Sequence, residues 1–404
     1  MKKVLFVAII ATLIAVGCEK TEIINPNLGT EILFSPDLGK LTKAEGEIDA
    51  TLKDQGFKVS AINAYDDLYT TVEFNTVYRV MDNLQFVYNN VWALQNGQSY
   101  FWPGTGKDLV FLAVSSKTGT VEIPEIVKNG FGITGTQETD SEDNNTGAYT
   151  GITVNNFTIP DFTVTPPSYV KEAGEDAVVG DQTGADDDLM VANVVIQNQD
   201  DNQEQGVEKG QVELDFSHTL SKVQFVFTTN TTPDYPVTVN KVVIEDVINK
   251  ATLGVGVTFA GESRTSTNTY DWSPSNNAAD VDYLAQKIES ESENNYEDFV
   301  IDYNLSLVNG QELPYATWLV IPQSLEDKMV SITYTIADNN NKDAQGKAAT
   351  SVFTSVFPLY TNTLDSWSRN QYVRYKINLS PNLITFNPIV SEDWSTNTDV
   401  EHNN

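Results

Sequence analysis

The sequence predicts an all-β fold. Three observations carry that expectation: short alternating apolar segments recur along most of the chain, clusters of Asn, Gly and Pro punctuate them, and helix-period patterns are scarce. Aromatic residues make up 10% of the composition and Val, Ile and Thr are abundant, which suits folded β-structure rather than disorder. At 404 residues the chain exceeds the roughly 250–300 at which a single core stops growing, so two domains are expected.

The N-terminus reads as an export signal. Lys2 and Lys3 precede an apolar run from Val4 to Val16, which is shorter than the ~20 residues of a membrane-spanning helix. Ala15-Val16-Gly17-Cys18 then looks like a lipobox, with Ala15 where leucine is usual. Residues 1–17 are thus the expected signal peptide and Cys18 the expected lipidation site. Cys18 is the only cysteine, so no internal disulfide is available and the fold must rest on its core. Residues 18–30 form a polar tether containing the breaker cluster Asn25-Pro26-Asn27.

The first predicted strand is Glu31 to Ser35, with Ile32 and Phe34 on one side, and Pro36 and Gly39 behind it. Lys40 and Lys43 lie in the polar, exposed-looking stretch that follows. Gly56 to Ile62, Leu84 to Tyr88 and Leu109 to Val114 alternate and predict half-buried strands of a sandwich. The acidic segment from Gly135 to Gly147 predicts a mobile surface loop. A strand returns at Asp186 to Ala192, and the polar segment Asn198 to Gly210 is the expected boundary between an N-terminal domain, 31–200, and a C-terminal domain, 201–394. Strands are expected in the second half at Val212 to Phe216, Val223 to Phe227, Val237 to Ile244, Trp318 to Gln323, Val330 to Ala337, Tyr372 to Leu379 and Leu383 to Phe386. One short helix is expected at Val281 to Ile288, and residues 395–404 are a polar tail.

The formal charge is -32 and the sequence pI about 4.2. Phosphate backbones are bound by clustered Lys and Arg, so this balance excludes nucleic acid as a partner. Catalytic residues are scarce. Of the two histidines, His402 sits in the polar tail, and His218 lies on the phase of Leu214 and Phe216, where a satisfied strand histidine is the expectation. A zinc site needs ligands the chain lacks, and no glycine-rich phosphate cradle occurs. Asp186-Asp187-Asp188 and Asp140 to Asp143 read as solvated acidic loops, without the spacing of a calcium loop. Trp92, Trp102, Trp272 and Trp367 are the aromatics to inspect for glycan contact, though core packing is the expected role of each. No enzyme, cofactor or metal is expected.

Taken together, a series of segments resembles the fimbrillin family, the Bacteroides-type pilin and pilus-accessory lipoproteins. They are Ile32-Leu33-Phe34-Ser35 before Thr42-Lys43-Ala44, Gly56 to Ala61, Tyr100-Phe101-Trp102-Pro103 before Leu109 to Ala113, and Asp188 to Ala192. Val212 to Phe216 with His218 to Lys222, Leu319 to Gln323, Trp367 to Tyr372, and Ile384-Thr385-Phe386 before Val390 and Trp394 complete the series. Their order and spacing, spread over the mature chain, carry the resemblance. It implies two tandem transthyretin-like antiparallel β-sandwich domains after a lipoprotein signal peptide. It also implies a subunit of a surface fimbria at the outer membrane, exported as a lipoprotein and cut by a trypsin-like maturation protease behind the first strand. A strand from another fimbrial subunit would then fill the opened groove, as in β-strand addition. On this chain the candidate cuts follow Lys40 or Lys43, with no arginine near, so that residues 31–43 would be lost. The candidate donor strand is C-terminal, with Val373, Tyr375, Ile377 and Leu379 on one face and Ile384 and Phe386 on another, although internal strands explain these residues equally well. The rival expectations are a monomeric surface or tip lipoprotein that adheres to a glycan or host protein, and a glycan-processing enzyme with facing carboxylates.

Overall fold

The computed structural model describes residues 29–37, 51–63, 79–104, 108–117, 121–123, 133–139, 145–164, 168–169, 182–183, 188–199, 210–261, 263–274, 296–380 and 385–391. Apart from a helical turn over 51–55, their regular structure is almost entirely β, as the alternation predicts. The expected helix at Val281 to Ile288 lies outside the described residues, as do Cys18, Lys40, Lys43 and Ile384.

The largest sheet has eight strands. Its order runs β1 (Leu33–Asp37), β13 (Gln211–His218), β11 (Met190–Ala192), β5 (Leu109–Ser115), β2 (Phe57–Asn63), β3 (Arg79–Tyr88) and β4 (Trp92–Leu94), and β12 (Val195–Gln197) also pairs with β5. A three-stranded sheet joins β17 (Ser266–Pro274), β16 (Lys250–Phe259) and β8 (Phe157–Thr163). Two four-stranded sheets form the rest of the body. One is ordered β19 (Leu313–Val320), β14 (Ser221–Thr228), β24 (Tyr372–Asn378), β25 (Thr385–Ser391). The other is ordered β18 (Tyr296–Ser306), β15 (Val237–Ile248), β21 (Met329–Lys342), β22 (Ala348–Pro358). Three small pairs complete the set: β6 (Ile133–Thr139) with β7 (Asn145–Val154), β9 (Ser168–Tyr169) with β10 (Gln182–Thr183), and β20 (Gln323–Ser324) with β23 (Ser366–Trp367).

The strand ladders are antiparallel apart from two, β1 with β13 and β14 with β24. Both parallel pairs join segments far apart in the chain, as parallel strands must, because a tight hairpin cannot connect them. Pairing also crosses the polar segment 198–210: β13 lies beyond it yet joins β1 and β11, and β8 joins β16.

The apolar faces sort into two cores. The larger one runs between the two four-stranded sheets, where Phe225 stacks against Trp318 and Tyr375 at 5.4 and 5.1 Å between ring centroids. It continues under Leu253 and Val255 of β16 to Val110, Leu112 and Val114 of β5. The smaller core holds Leu109, Phe111 and Ala113 from the opposite face of β5, with Phe57, Val59, Met190, Leu214 and Phe216. β5 is therefore buried on both faces, not half-buried as its place in a sandwich suggests, and its unbroken run Leu-Val-Phe-Leu-Ala-Val has the composition for that position. The stretch from Gly135 to Gly147, expected as a mobile loop, is strand at its two ends, in β6 and β7, whose backbones pair from Ile133↔Val154 to Thr139↔Asn145, and residues 140–144 lie outside the described residues. Threonine recurs along both, and its branched Cβ favours extended backbone over loop.

Candidate functional site

The first strand is the site with the most unusual surroundings. Residues Ile32 and Phe34 alternate with polar or half-exposed neighbours, so an extended backbone points both toward the same face. On one side β1 pairs in parallel with β13, from Leu33↔Gln211 through Phe34↔Val212 to Asp37↔Asp215. On the other side the chain leaving β4 comes back to it. Glu31 bridges Phe101, the Ile32 N–H donates to the Tyr100 carbonyl at 2.8 Å, and the Trp102 N–H donates to the Thr30 carbonyl at 2.9 Å. The segment that follows β4, the strand at the opposite end of the large sheet, thus hydrogen-bonds the chain where it enters β1.

The side chains of β1 are the lid of the smaller core. Phe34 is 7% exposed and Ile32 4%. The Phe34 ring sits edge-on to Phe86, Phe111 and Phe57, at 4.9, 5.7 and 6.4 Å between centroids. Trp102 lies edge-on to Phe111 at 5.6 Å and its Nε1 donates to the Gly210 carbonyl at 3.1 Å. Gly210 itself has φ +86, and a Cβ there would fall 2.7 Å from Thr30 Cγ2 and 2.9 Å from the Glu31 carbonyl oxygen. Glycine is required where the chain enters β13 because β1 crosses so closely. Pro36, with no N–H to donate, suits a strand at the end of its sheet.

If β1 were absent, two things would be laid open together. The β13 edge would show unpaired N–H and C=O groups, and the pockets filled by Ile32 and Phe34 would show apolar walls. That combination accepts an extended segment with apolar residues at alternate positions. The Lys40 and Lys43 cut sites proposed for its removal lie outside the described residues.

The candidate donor residues divide. Val373, Tyr375 and Ile377 sit on β24 and Leu379 directly follows it, all four fully buried. β24 is bonded on both sides, in parallel to β14 and antiparallel to β25. Tyr375 accepts a hydrogen bond from Trp367 Nε1 at 3.0 Å, and burial pushes its phenol pKa up. Phe386 lies on β25 opposite Ile377, and β25 is the outermost strand of its sheet among the described residues.

The other residues singled out fall into place as packing. His218 is buried with Nδ1 at 2.5 Å from Asp188 Oδ2, a pair that ties the end of β13 to the entry of β11. Trp102 and Trp367 are buried, Trp272 packs on Phe162 and donates to the Thr219 carbonyl at 2.9 Å, and Trp92 packs on Phe57. Among the described residues no group of three His, Cys, Asp or Glu is placed to hold a metal ion. What sequence reasoning missed is β22, an outermost strand among the described residues with exposed apolar side chains; its uncharged, repeated Thr-Ser-Val-Phe was the available signal.

A fimbrial protein from Bacteroides vulgatus ATCC 8482 is similar in structure with TM-score 0.48 at 15% identity, over 90% of this chain and 99% of that one. The fimbrial anchor protein Mfa2 from Porphyromonas gingivalis is more distant, with TM-score 0.22 at 7% identity, over 90% of this chain and 97% of the other. No curated protein matches. A family model described as fimbrillin-like matches residues 42–394, most of the chain, and the chain therefore belongs to the fimbrillin-like family.

Proposed function

We propose that the protein is a structural subunit of a bacterial surface fimbria, exported as a lipoprotein through Cys18 and assembled by strand exchange at β1. The observation that carries the reading is the placement of β1. It is a five-residue strand at the N-terminal end of the described fold, it seals an apolar core, and the lysines Lys40 and Lys43 follow it directly. Cleavage there by a trypsin-like protease would cut the covalent link to β1 and leave it held by noncovalent contacts alone. An incoming strand offering the same alternation would then compete for the trough. Membership of the fimbrillin-like family supports the reading, as does the fimbrial description of the similar proteins.

The donor in this reading is β25 rather than β24. Withdrawing β24 would empty the middle of the larger core of Val373, Tyr375 and Ile377, whereas β25 has one bonded neighbour among the described residues to leave. A head-to-tail contact of this kind does not close on itself, so it builds filaments. The lipid of Cys18 would then serve delivery to the outer membrane and be discarded with the cleaved segment.

The test is limited trypsin digestion of the full chain, followed by N-terminal sequencing and sedimentation. New N-termini at Leu41 or Ala44 together with high-mass polymers are expected. A chain that is cut at those positions and remains monomeric contradicts assembly by strand exchange and favours the monomeric adhesive lipoprotein.

A further inference from the structure

The strand β22 stands at the free edge of its sheet, bonded to β21 and to no other described strand. Long edges on natural proteins are guarded by charges, prolines or bulges, because unpaired N–H and C=O groups invite another strand. This edge is unguarded over most of its length. From Ala348 to Leu364 there is no charged residue, in a chain that carries 56 acidic and 24 basic ones. Pro358 stands only at the end of the strand, and the irregularity in the ladder, between Asp338 and Lys342, lies at the far end of the hairpin. Val352 is 67% exposed and Val356 52%. Phe353 stacks on Tyr334 at 5.4 Å and still shows 43% of its surface.

The strand also has a sequence suited to pairing with itself. Thr350-Ser351-Val352-Phe353 is repeated without a change as Thr354-Ser355-Val356-Phe357. Two copies of one strand that pair antiparallel about an axis perpendicular to the sheet must place residues of the same face opposite each other. With Thr354 on that axis, Val352 of each copy meets Val356 of the other, and Thr354 meets Thr354. On the opposite face each Phe353 meets a Ser355, so no two bulky rings collide. Cross-strand apolar and threonine pairs of this kind are the stabilising units of a sheet.

We propose that β22 is a homotypic docking edge, at which two copies of this chain join their four-stranded sheets into one of eight strands. A second copy is the occupant that the repeat specifies, because the repeat makes the edge complementary to itself. The strip also brings no charge of its own between two bodies that each carry a formal charge of -32. One strand edge buries less than the ~1,200 Å² of a standard stable interface, so the association is weak and is favoured where copies are crowded on a surface. The proposal is independent of strand exchange at β1, which uses a different sheet.

The experiment is sedimentation velocity on the full chain carrying Cys18→Ser. A dimer fraction that rises with protein concentration and with added salt is expected, since salt screens the like charges of the two bodies. Thr354→Cys in that background should form an intermolecular disulfide on mild oxidation. Thr333→Cys, on β21 directly across from Thr354, should not. Val352→Lys combined with Val356→Lys should weaken dimerisation by about tenfold or more, because like charges would then oppose each other across the strand pair. Val352→Thr with Val356→Thr keeps the strand propensity and should weaken it by a smaller factor. A chain that is monomeric at every concentration overturns the proposal. So does a dimer that survives the lysines, or one that fails to cross-link at position 354.

Discussion

β1 and β22 are both end strands with apolar side chains, and they have opposite fates. Ile32, just before β1, and Phe34 of β1 are sealed between β13 and the returning segment around Tyr100 to Trp102. Val352 and Val356 of β22 face water, with a single neighbouring strand among the described residues. The difference does not lie in apolar content, since the first strand brings Ile32, Leu33 and Phe34 and the other brings Val352, Phe353, Val356 and Phe357. It lies in what the remainder of the chain provides: a trough and a second edge for β1, and nothing among the described residues for β22. An enclosed end strand contributes its full burial to stability. An open one contributes little to the single chain and is available to another.

The largest effect should therefore follow from emptying the enclosed strand. Phe34→Ala removes a ring packed on three others, and loss of a buried phenylalanine typically costs about 3–5 kcal/mol including the cavity left behind. Denaturant unfolding should show that loss in the midpoint. If strand exchange operates at β1, the same substitution should also speed replacement of the cleaved strand, which separates the role of Phe34 in the trough from a general loss of stability.

The next effect acts on the sheet that carries β22 and leaves the β1 sheet alone. Lys328 is buried, and its Nζ donates to the Asp246 carbonyl at 2.5 Å, where the β15–β18 ladder skips between Ile244 and Val247. Burial lowers its pKa from 10.5 to about 8, against the pull of Asp246. Below about pH 8 the ammonium is charged in both folded and unfolded chains, and the full cost of burying it is present. Between about 8 and 10.5 the unfolded chain holds the proton more tightly, so stability rises with pH. The gain approaches about 3 kcal/mol at the upper end. Comparing the pH dependence of unfolding in wild type and Lys328→Met should show a steeper rise for wild type through that window. Equal slopes would mean that the ammonium keeps its solvation.

How much of this was legible in the sequence depends on where each signal resides. The alternation of Phe57-Lys58-Val59, of Val223 to Phe227 and of Tyr372 to Leu379 marks β2, β14 and β24 within a residue or two, because a strand with a buried face records its period locally. β16 escaped because Gly254 and Gly256 interrupt its pattern; a Cβ at Gly256 would fall 2.3 Å from Thr269 Oγ1. β17 escaped because its residues are largely polar. The identity of β1 as a strand was readable from Ile32 and Phe34. Its enclosure was not, since the parallel register with β13 and the return of Tyr100 to Trp102 depend on residues distant in the chain, and no local pattern encodes them. β22 is missed for a different reason: its Thr-Ser-Val-Phe repeat sets polar and apolar residues in pairs rather than in alternation, and its valines meet no core.

The smallest effect on stability is the one that tests the open strand as an open strand. Val352→Lys alone replaces a side chain that is 67% exposed and faces away from the core, and surface changes of that sort stay within about 0.5 kcal/mol. Unfolding of the monomer at low protein concentration should be nearly unchanged. A large loss there would mean that Val352 is covered within the single chain, which would erase the contrast with β1. An unchanged monomer with weakened dimerisation would place the whole contribution of Val352 between molecules, whereas Phe34 makes its contribution within one.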